Sequence, residues 1–282
     1  METAISVEAL KKHFDNEEAL KGISFEVGKG EIFGLLGPSG SGKTTTIKIL
    51  TGELEPTGGQ VEVLGYPYQA FKRSGYVKSL GILSDNSSLY DRLTVKDNLT
   101  LFRKLYGTGQ AKVDQVLKDV GLSNHINKRV KDLSKGMKQR ILLCKAVLHE
   151  PEVLFLDEPT SALDPVTTDS IHEMLLKIRS RGTTIMLTTH NMDEATALCD
   201  NVAFLNDGII TDNGSPDALR QAYKSNTMHV TYDDGTKKQI PVNLENKAQL
   251  EAALFDTNIV NMKSDYPTLG EVFKKVTGKE LV

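Results

Sequence analysis

Short apolar runs bounded by glycine alternate along the chain with stretches in which apolar residues return every three or four positions. The first rhythm predicts strands and the second helices. Over residues 3–36 the runs include GISFEV and EIFGLLG, separated by GKG, and read as short strands joined by turns. A glycine-rich loop follows, then KTTTIKIL as a helix ending at Gly52, then GGQVEVLG as another strand. From Thr94 to about His149 the helical rhythm takes over. It runs through TVKDNLTLFRKLYG, AKVDQVLKDVGL and the segment after LSKGM, where Ser134 stands as an N-cap ahead of Ile141, Leu142, Ala146 and Val147. Alternation resumes with VLFLD, a helix opened by Asp164 with Pro165 at its first position, TTIMLTT, NMDEATALCD and NVAFLND. Strand and helix in turn predict an α/β core with a parallel sheet. The N-terminal strands form an antiparallel β region beside it, and the all-helical block is an insertion.

Near Gly214-Ser215-Pro216 the texture changes. The remainder predicts a short helix, a hairpin in MHVTYDDGTKKQIPV with Asp-Gly at its turn, a helix near KAQLEAALF and a last one at TLGEVFKKVTG. The expected organisation is a main domain over 1–215, with a helical subdomain at about 85–150, and a small α+β extension over 216–282.

Length and charge narrow the classes. A chain of 282 residues holds one large or two modest domains with well-buried cores. Its 37 acidic and 34 basic residues leave a net charge of -3, which argues against a broad nucleic-acid footprint. Cys144 and Cys199 are too few for a disulfide scaffold and fit a reduced compartment. The start METAISVEALKKHF lacks the apolar centre of a signal peptide. No apolar stretch approaches spanning length; ILLCKAVL is short and carries Lys145. The expectation is a soluble protein whose membrane role comes through a partner.

The chemistry concentrates in two segments. GPSGSGKT, that is Gly37, Pro38, Ser39, Gly40, Ser41, Gly42, Lys43 and Thr44, has the phosphate-loop spacing between an apolar strand and a helix, with Thr45 next in that helix. Its glycines let the backbone curl so that successive N–H groups face phosphate oxygens. Lys43 would reach the β- and γ-phosphates, and the Thr44 hydroxyl would hold Mg²⁺. A chance glycine-rich turn is the alternative, disfavoured by the strand and helix on either side. In VLFLDEP, Asp157 ends an apolar strand, where a carboxylate holds magnesium through water, and Glu158 is placed to polarise a water attacking the γ-phosphate. His190 ends the strand TTIMLTT, so a parallel sheet puts it on the same carboxyl edge, fit to donate to the γ-phosphate and hold that water.

GPSGSGKT, then LSKGM shortly before VLFLDEP, then SALD and TTH in this order resembles the nucleotide-binding subunit of an ATP-binding cassette transporter over about residues 3–215. The tail PTLGEVFKKVTGKEL is similar to the C-terminal extension of cassette ATPases from bacterial exporters whose membrane domain is a separate polypeptide, with Gly270 where an acidic residue is usual. The resemblance implies a phosphate-loop NTPase core, ATP as substrate with Mg²⁺, and a head-to-tail dimer sandwiching two nucleotides. The second chain would be another copy or a homologous ATPase. It implies that Ser134, Lys135 and Gly136 close over the nucleotide held by the other chain, and that Ser161–Asp164 links the two sites. Phe14 takes the place of the family's adenine-stacking aromatic; a buried strand-end Phe is the other reading. The helical insertion would dock an integral membrane permease, which would hold the protein at the inner, cytoplasmic face of the membrane. No nucleic-acid partner is expected.

Two departures stand out. The signature reads Lys135 where Gly is usual and Met137 where Gln is usual, which fits the exporter type suggested by the tail. Asp85, in LGILSDNSSLYDRLTV, holds the place of a usual Gln. Its carboxylate accepts hydrogen bonds but donates none, so it either binds magnesium and its waters more firmly or slows the reaction by repelling phosphate. Acidic variants there resemble cassette ATPases linked to export of, or immunity to, peptide antibiotics. The expected function is the ATP-hydrolysing motor subunit of an exporter. Two alternatives are a soluble cassette ATPase acting on nucleic acid or ribosomes and a slow nucleotide-dependent interaction module. The chain lacks the coiled-coil insertion, second cassette or basic surface of the former, and its intact Glu158 and His190 argue against the latter.

Overall fold

The N-terminal strands are longer than their interrupted pattern suggests. In the computed structural model, which describes residues 2–15, 17–264 and 266–279, β1 (Thr3–Phe14) and β2 (Glu17–Gly28) run antiparallel along most of their length. Their pairing shifts register between Val7 and Leu10, where Ala9 adopts a φ of 46°. This bulge breaks the two-residue alternation and hides one long strand as two short ones. β4 (Gly58–Val63) pairs with the other edge of β1, and β5 (Tyr66–Pro67) completes a four-stranded antiparallel sheet ordered β2-β1-β4-β5. Ile5, Val7 and Leu10 from this sheet join Leu35, Ile47, Phe155 and Met186 in one apolar core.

The second sheet carries the chemistry. Its strands are β3 (Ile32–Leu36), β6 (Leu80–Leu83), β7 (Val153–Asp157), β8 (Thr184–Thr189), β9 (Asn201–Asn206) and β10 (Ile209–Gly214), in the order β10-β9-β3-β8-β7-β6. β9, β3, β8, β7 and β6 are mutually parallel, and β10 returns antiparallel along β9. Every residue of β3, β7 and β8 is buried, as expected of central strands covered on both faces. Parallel strands bring their carboxyl ends to one edge. The residues that follow β3, β6, β7 and β8 therefore emerge side by side, although they are far apart in sequence.

Helices connect these strands. α1 (Lys43–Leu50) follows β3, and α2 (Ser74–Ser79) precedes β6. Between β6 and β7 lie α3 (Val95–Tyr106), α4 (Gln110–Asp119) and α5 (Lys135–Val147), which pack on one another. α3 opens with a capping box between Thr94 and Asp97, and Ser134 caps α5 as its sequence predicts. α6 (Pro165–Ser180), capped by Asp164, and α7 (Met192–Leu198), capped by Asn191, complete the core.

The chain divides into two compact units at Ser215/Pro216. The second contains α8 (Pro216–Ala222), β11 (Thr227–Tyr232), β12 (Lys237–Pro241), α9 (Lys247–Leu254), β13 (Ile259–Ser264) and α10 (Leu269–Thr277). β11 and β12 form the hairpin around Asp234-Gly235, and β13 adds to the free side of β11. Residues 280–282, the end of the expected extension, lie outside the described residues. Among the described residues no helix is long and apolar enough to cross a membrane.

Candidate functional site

A cleft of about 520 Å³ opens at the carboxyl edge of the parallel sheet. Ser39, Gly40, Gly42, Lys43, Thr44 and Thr45 line it from the loop after β3, Asp85 from the turn after β6, Glu158 from the end of β7 and His190 from the end of β8. Phe14, from the end of β1, closes one side beside Glu17 and Ala19. Gly37 and Ser41 are buried at the back of the loop, and Pro38 is half-buried.

The loop is built to present backbone donors. Gly42 sits at φ 109°, and a Cβ there would lie 2.9 Å from the Ala19 carbonyl oxygen, so only glycine fits. Gly42 is also the N-cap of α1 and supplies no side-chain cap, and no acidic residue stands in the first turn. The first N–H groups of α1 thus keep no internal partner and carry the positive end of the helix dipole. Such a terminus takes an anion. The Ser41 hydroxyl, 3% exposed, finds no hydrogen-bond partner in the loop. A buried orphan hydroxyl beside open N–H groups fits a phosphate-bearing ligand.

Behind the loop, four charged groups are arranged by strand register. Lys43, 7% exposed, donates to the carbonyl oxygens of Gly37 at 2.7 Å and Pro38 at 3.1 Å, and its Nζ lies 3.5 Å from Glu158 Oε1. Those partners hold a nearly buried ammonium at the floor of the cleft. The Thr44 hydroxyl donates to Asp157 Oδ2 at 2.8 Å, and the Thr188 hydroxyl donates to Asp157 Oδ1. Asp157 is 4% exposed, so these contacts fix its orientation. Glu158 adopts a φ of 50°, held there by its N–H donating to the Thr188 carbonyl at 3.1 Å. A left-handed backbone at a non-glycine residue turns this side chain away from the path of β7 and into the cleft. There Glu158 Oε2 accepts from His190 Nδ1 at 2.8 Å.

The hard oxygen donors of Thr44 and Asp157 suit Mg²⁺. Among the described residues no group of three or more His, Cys, Asp or Glu side chains forms a metal cluster. Thr44 and Asp157 would hold such an ion, whose remaining ligands would be waters and phosphate oxygens.

Ser134, Lys135 and Gly136 stand apart from the residues lining this cleft. Ser134 and Lys135 are exposed at the start of α5, where the Ser134 hydroxyl accepts from the Met137 N–H at 3.3 Å. Gly136 is buried against α6, and a Cβ there would meet the Thr167 side chain at 2.8 Å. Phe14 is 43% exposed, not a buried strand end, and the Lys12 ammonium lies 4.9 Å from its ring centre. Asp85 is exposed on the cleft wall.

The sequence reading passed over Thr188. Its signal was a polar residue opposite Asp157 in the register of two wholly buried strands. It also placed Glu158 and His190 on one edge without pairing them directly.

The family described as ABC transporter matches residues 20–161. The chain is 38% identical over 270 residues to a fluoroquinolones export ATP-binding protein of Mycobacterium tuberculosis, covering 94% of this chain and 89% of that protein. It is 40% identical to the Nod factor export ATP-binding protein I of Rhizobium sp., over 77% of this chain and 72% of that one. The fold is similar to that of CbiO1 from Clostridium perfringens, part of the ABC transporter complex CbiONQ, with a TM-score of 0.71, 29% identity, and coverage of 78% of this chain and 91% of that one. By these matches, the chain belongs to the ABC transporter family as an ATP-binding subunit.

Proposed function

We propose that the protein drives an exporter by binding and hydrolysing ATP as a head-to-tail pair seated on a membrane permease at the cytoplasmic face. The observation that carries this reading is the convergence of Lys43, Glu158 and His190 in one cleft with the open N-terminus of α1, with Asp157 bonded to Thr44 just behind it. The loop from Gly37 to Thr45 cradles the phosphates, and Lys43 swings from the Gly37 and Pro38 carbonyls to their charge. Phe14 stacks on the base. Mg²⁺, when bound at Thr44 and Asp157, neutralises phosphate charge. Glu158 orients and polarises the attacking water, and His190 holds Glu158 and donates toward the terminal phosphate.

The exposed start of α5, with Ser134, Lys135 and Gly136, completes the site of the facing chain. Its separation from the cleft of its own chain supports that arrangement. The helices between β6 and β7, within the subdomain at about 85–150, dock the permease, and Asp85 at the end of β6 relays the state of the cleft to them. The names of the relatives, which export fluoroquinolones and Nod factor, favour export as the direction of transport. Asp85 adds peptide antibiotics as a cargo class.

The test is Glu158→Gln in the full chain. It keeps ATP binding, nearly abolishes turnover and traps a nucleotide-dependent dimer, whereas Lys43→Ala weakens ATP binding itself. Near wild-type hydrolysis by Glu158→Gln overturns the assignment of the base.

A further inference from the structure

Glu194 is 2% exposed, and a carboxyl group so deeply buried must be satisfied by specific partners. Its Oε1 accepts from the Thr160 hydroxyl at 2.6 Å and lies 3.2 Å from His172 Nε2, which donates to it as the Nε2–H tautomer. These contacts join three segments. Thr160, 8% exposed, lies two residues beyond Glu158 in a turn where the Ser161 N–H donates to the Glu158 carbonyl. Glu194 lies in the first turn of α7, four residues beyond His190, and its own N–H donates to the Asn191 cap at 3.1 Å. Asn191 is tied back through its N–H to Thr189 at the end of β8. His172 brings in α6, the helix capped by Asp164.

We propose that Glu194 is a positioning residue: through Thr160 and the cap of α7 it sets the spacing of Glu158 and His190. The proposal rests on the catalytic reading of that pair given above. The strand ends place Glu158 and His190 on neighbouring strands, and the Glu158 N–H is still held by Thr188 of β8, but the chain beyond each residue leaves the sheet. The Glu158 loop leaves β7 in a left-handed conformation, and the His190 loop turns at once into α7. Besides the His190–Glu158 contact itself, the Thr160–Glu194 hydrogen bond is a second side-chain link between these segments. A water-polarising carboxylate displaced by a fraction of an ångström loses rate without losing substrate, because the phosphate loop binds the nucleotide independently. Glu194 touches no reacting group, so its effect reaches the chemistry only through the positions of Glu158 and His190.

The experiment compares Thr160→Val, Thr160→Ser and Glu194→Ala in the full chain, with Glu158→Gln as control. Thr160→Val removes the donor at nearly constant volume, and it lowers kcat between about 10- and 100-fold while the KM for ATP stays within about twofold. Thr160→Ser restores the hydroxyl and the rate. Glu194→Ala lowers kcat at least as far as Thr160→Val, and the double variant is no slower than Glu194→Ala, since both break the Thr160–Glu194 link. In the nucleotide-free protein, the NMR signal of the His190 ring moves in Thr160→Val and returns in Thr160→Ser. A merely structural role lowers the melting temperature without a kcat-specific loss and without moving that signal. Thr160→Val with wild-type kcat and an unmoved His190 signal overturns the proposal, even if Glu194→Ala does not fold. An active Glu158→Gln control instead overturns the catalytic reading itself, so the two failures are distinct.

Discussion

The Nδ1 atom of His190 lies 2.8 Å from Oε2 of Glu158, joining the ends of β8 and β7 across adjacent parallel strands. The same carboxylate has its other oxygen 3.5 Å from Lys43 Nζ. Glu158 is therefore held between two donors, one from each side of the cleft, with its backbone pinned by Thr188. Removing the donor on the β8 side frees the carboxylate to rotate toward the lysine. His190→Ala is expected to lower kcat by about 100-fold or more with little change in ATP affinity. Steady-state hydrolysis and nucleotide binding, measured side by side, check this; a wild-type rate removes His190 from the mechanism.

Thr188 orients Asp157 from behind. It is fully buried and donates to the oxygen that Thr44 does not use. Thr188→Val keeps the volume and leaves Asp157 free to turn. The Mg²⁺ concentration that half-saturates ATPase activity should rise by about 10-fold, the usual size of an outer-shell loss. An unchanged magnesium titration would show that Thr44 alone aligns the carboxylate.

Asp85 lines the cleft wall together with Glu17 and Glu158. If it belongs to the magnesium shell, Asp85→Asn shifts the Mg²⁺ dependence of hydrolysis and changes the stimulation by the permease. Both unchanged would leave Asp85 as a solvated loop residue.

Gly136 sits where α5 meets the first turn of α6, with no room for a side chain. Gly136→Val must push the Thr167 side chain, which is itself bound to Asp164 at 2.7 Å. Overpacking of this kind costs about 1–3 kcal/mol, and thermal unfolding is expected to show it. An unchanged melting temperature would mean that α5 moves freely against α6.

His149 gives a pH signature. It stacks on Tyr106 with ring centres 4.0 Å apart, donates from Nε2 to the Leu80 carbonyl at 2.8 Å, and leaves Nδ1 buried without a partner. Burial lowers its pKa from the ordinary 6.5, outweighing the opposing effect of the Leu80 carbonyl. As pH falls, the unfolded chain takes the proton first. The stability tied to neutral His149 is therefore present above 6.5 and is lost as pH drops from there toward the lower folded value. His149→Gln should flatten the decline of melting temperature between about pH 7 and 5. A decline of equal slope in both proteins contradicts the assignment.

The chemistry was legible wherever it is local in sequence. Gly37 to Thr44 is a self-contained loop between a strand and a helix, and Asp157 closes a wholly apolar strand. The parallel sheet was legible as well, since the continuous burial of β3 and β7 leaves short apolar runs and β8 keeps Ile185-Met186-Leu187 between its threonines. Four-residue β6 escaped notice because it is too short to show alternation and runs on directly from α2. β13 escaped because only Ile259 and Met262 pack inward, three positions apart, so its pattern shows no two-residue alternation. The Glu158–His190 contact joins residues 32 positions apart, and its partners depend on loop geometry beyond the strand ends. Nothing in NMDEATALCD marks Glu194 as buried; its contacts with Thr160 and with His172 of α6 show it.

The most direct measurement concerns the claim that each cleft is completed by the exposed α5 terminus of a second chain. Lys43→Ala and Ser134→Arg chains, each inactive as a homodimer, are mixed and the hybrids isolated. In the hybrid one site carries both lesions, while the other pairs an intact phosphate loop with an intact Ser134-Lys135-Gly136. ATP-dependent closure, read by crosslinking across the interface, is predicted to return above either parent. Verified hybrids that never close with ATP would contradict the account, because they would show that Ser134 and Gly136 serve only the cleft of their own chain.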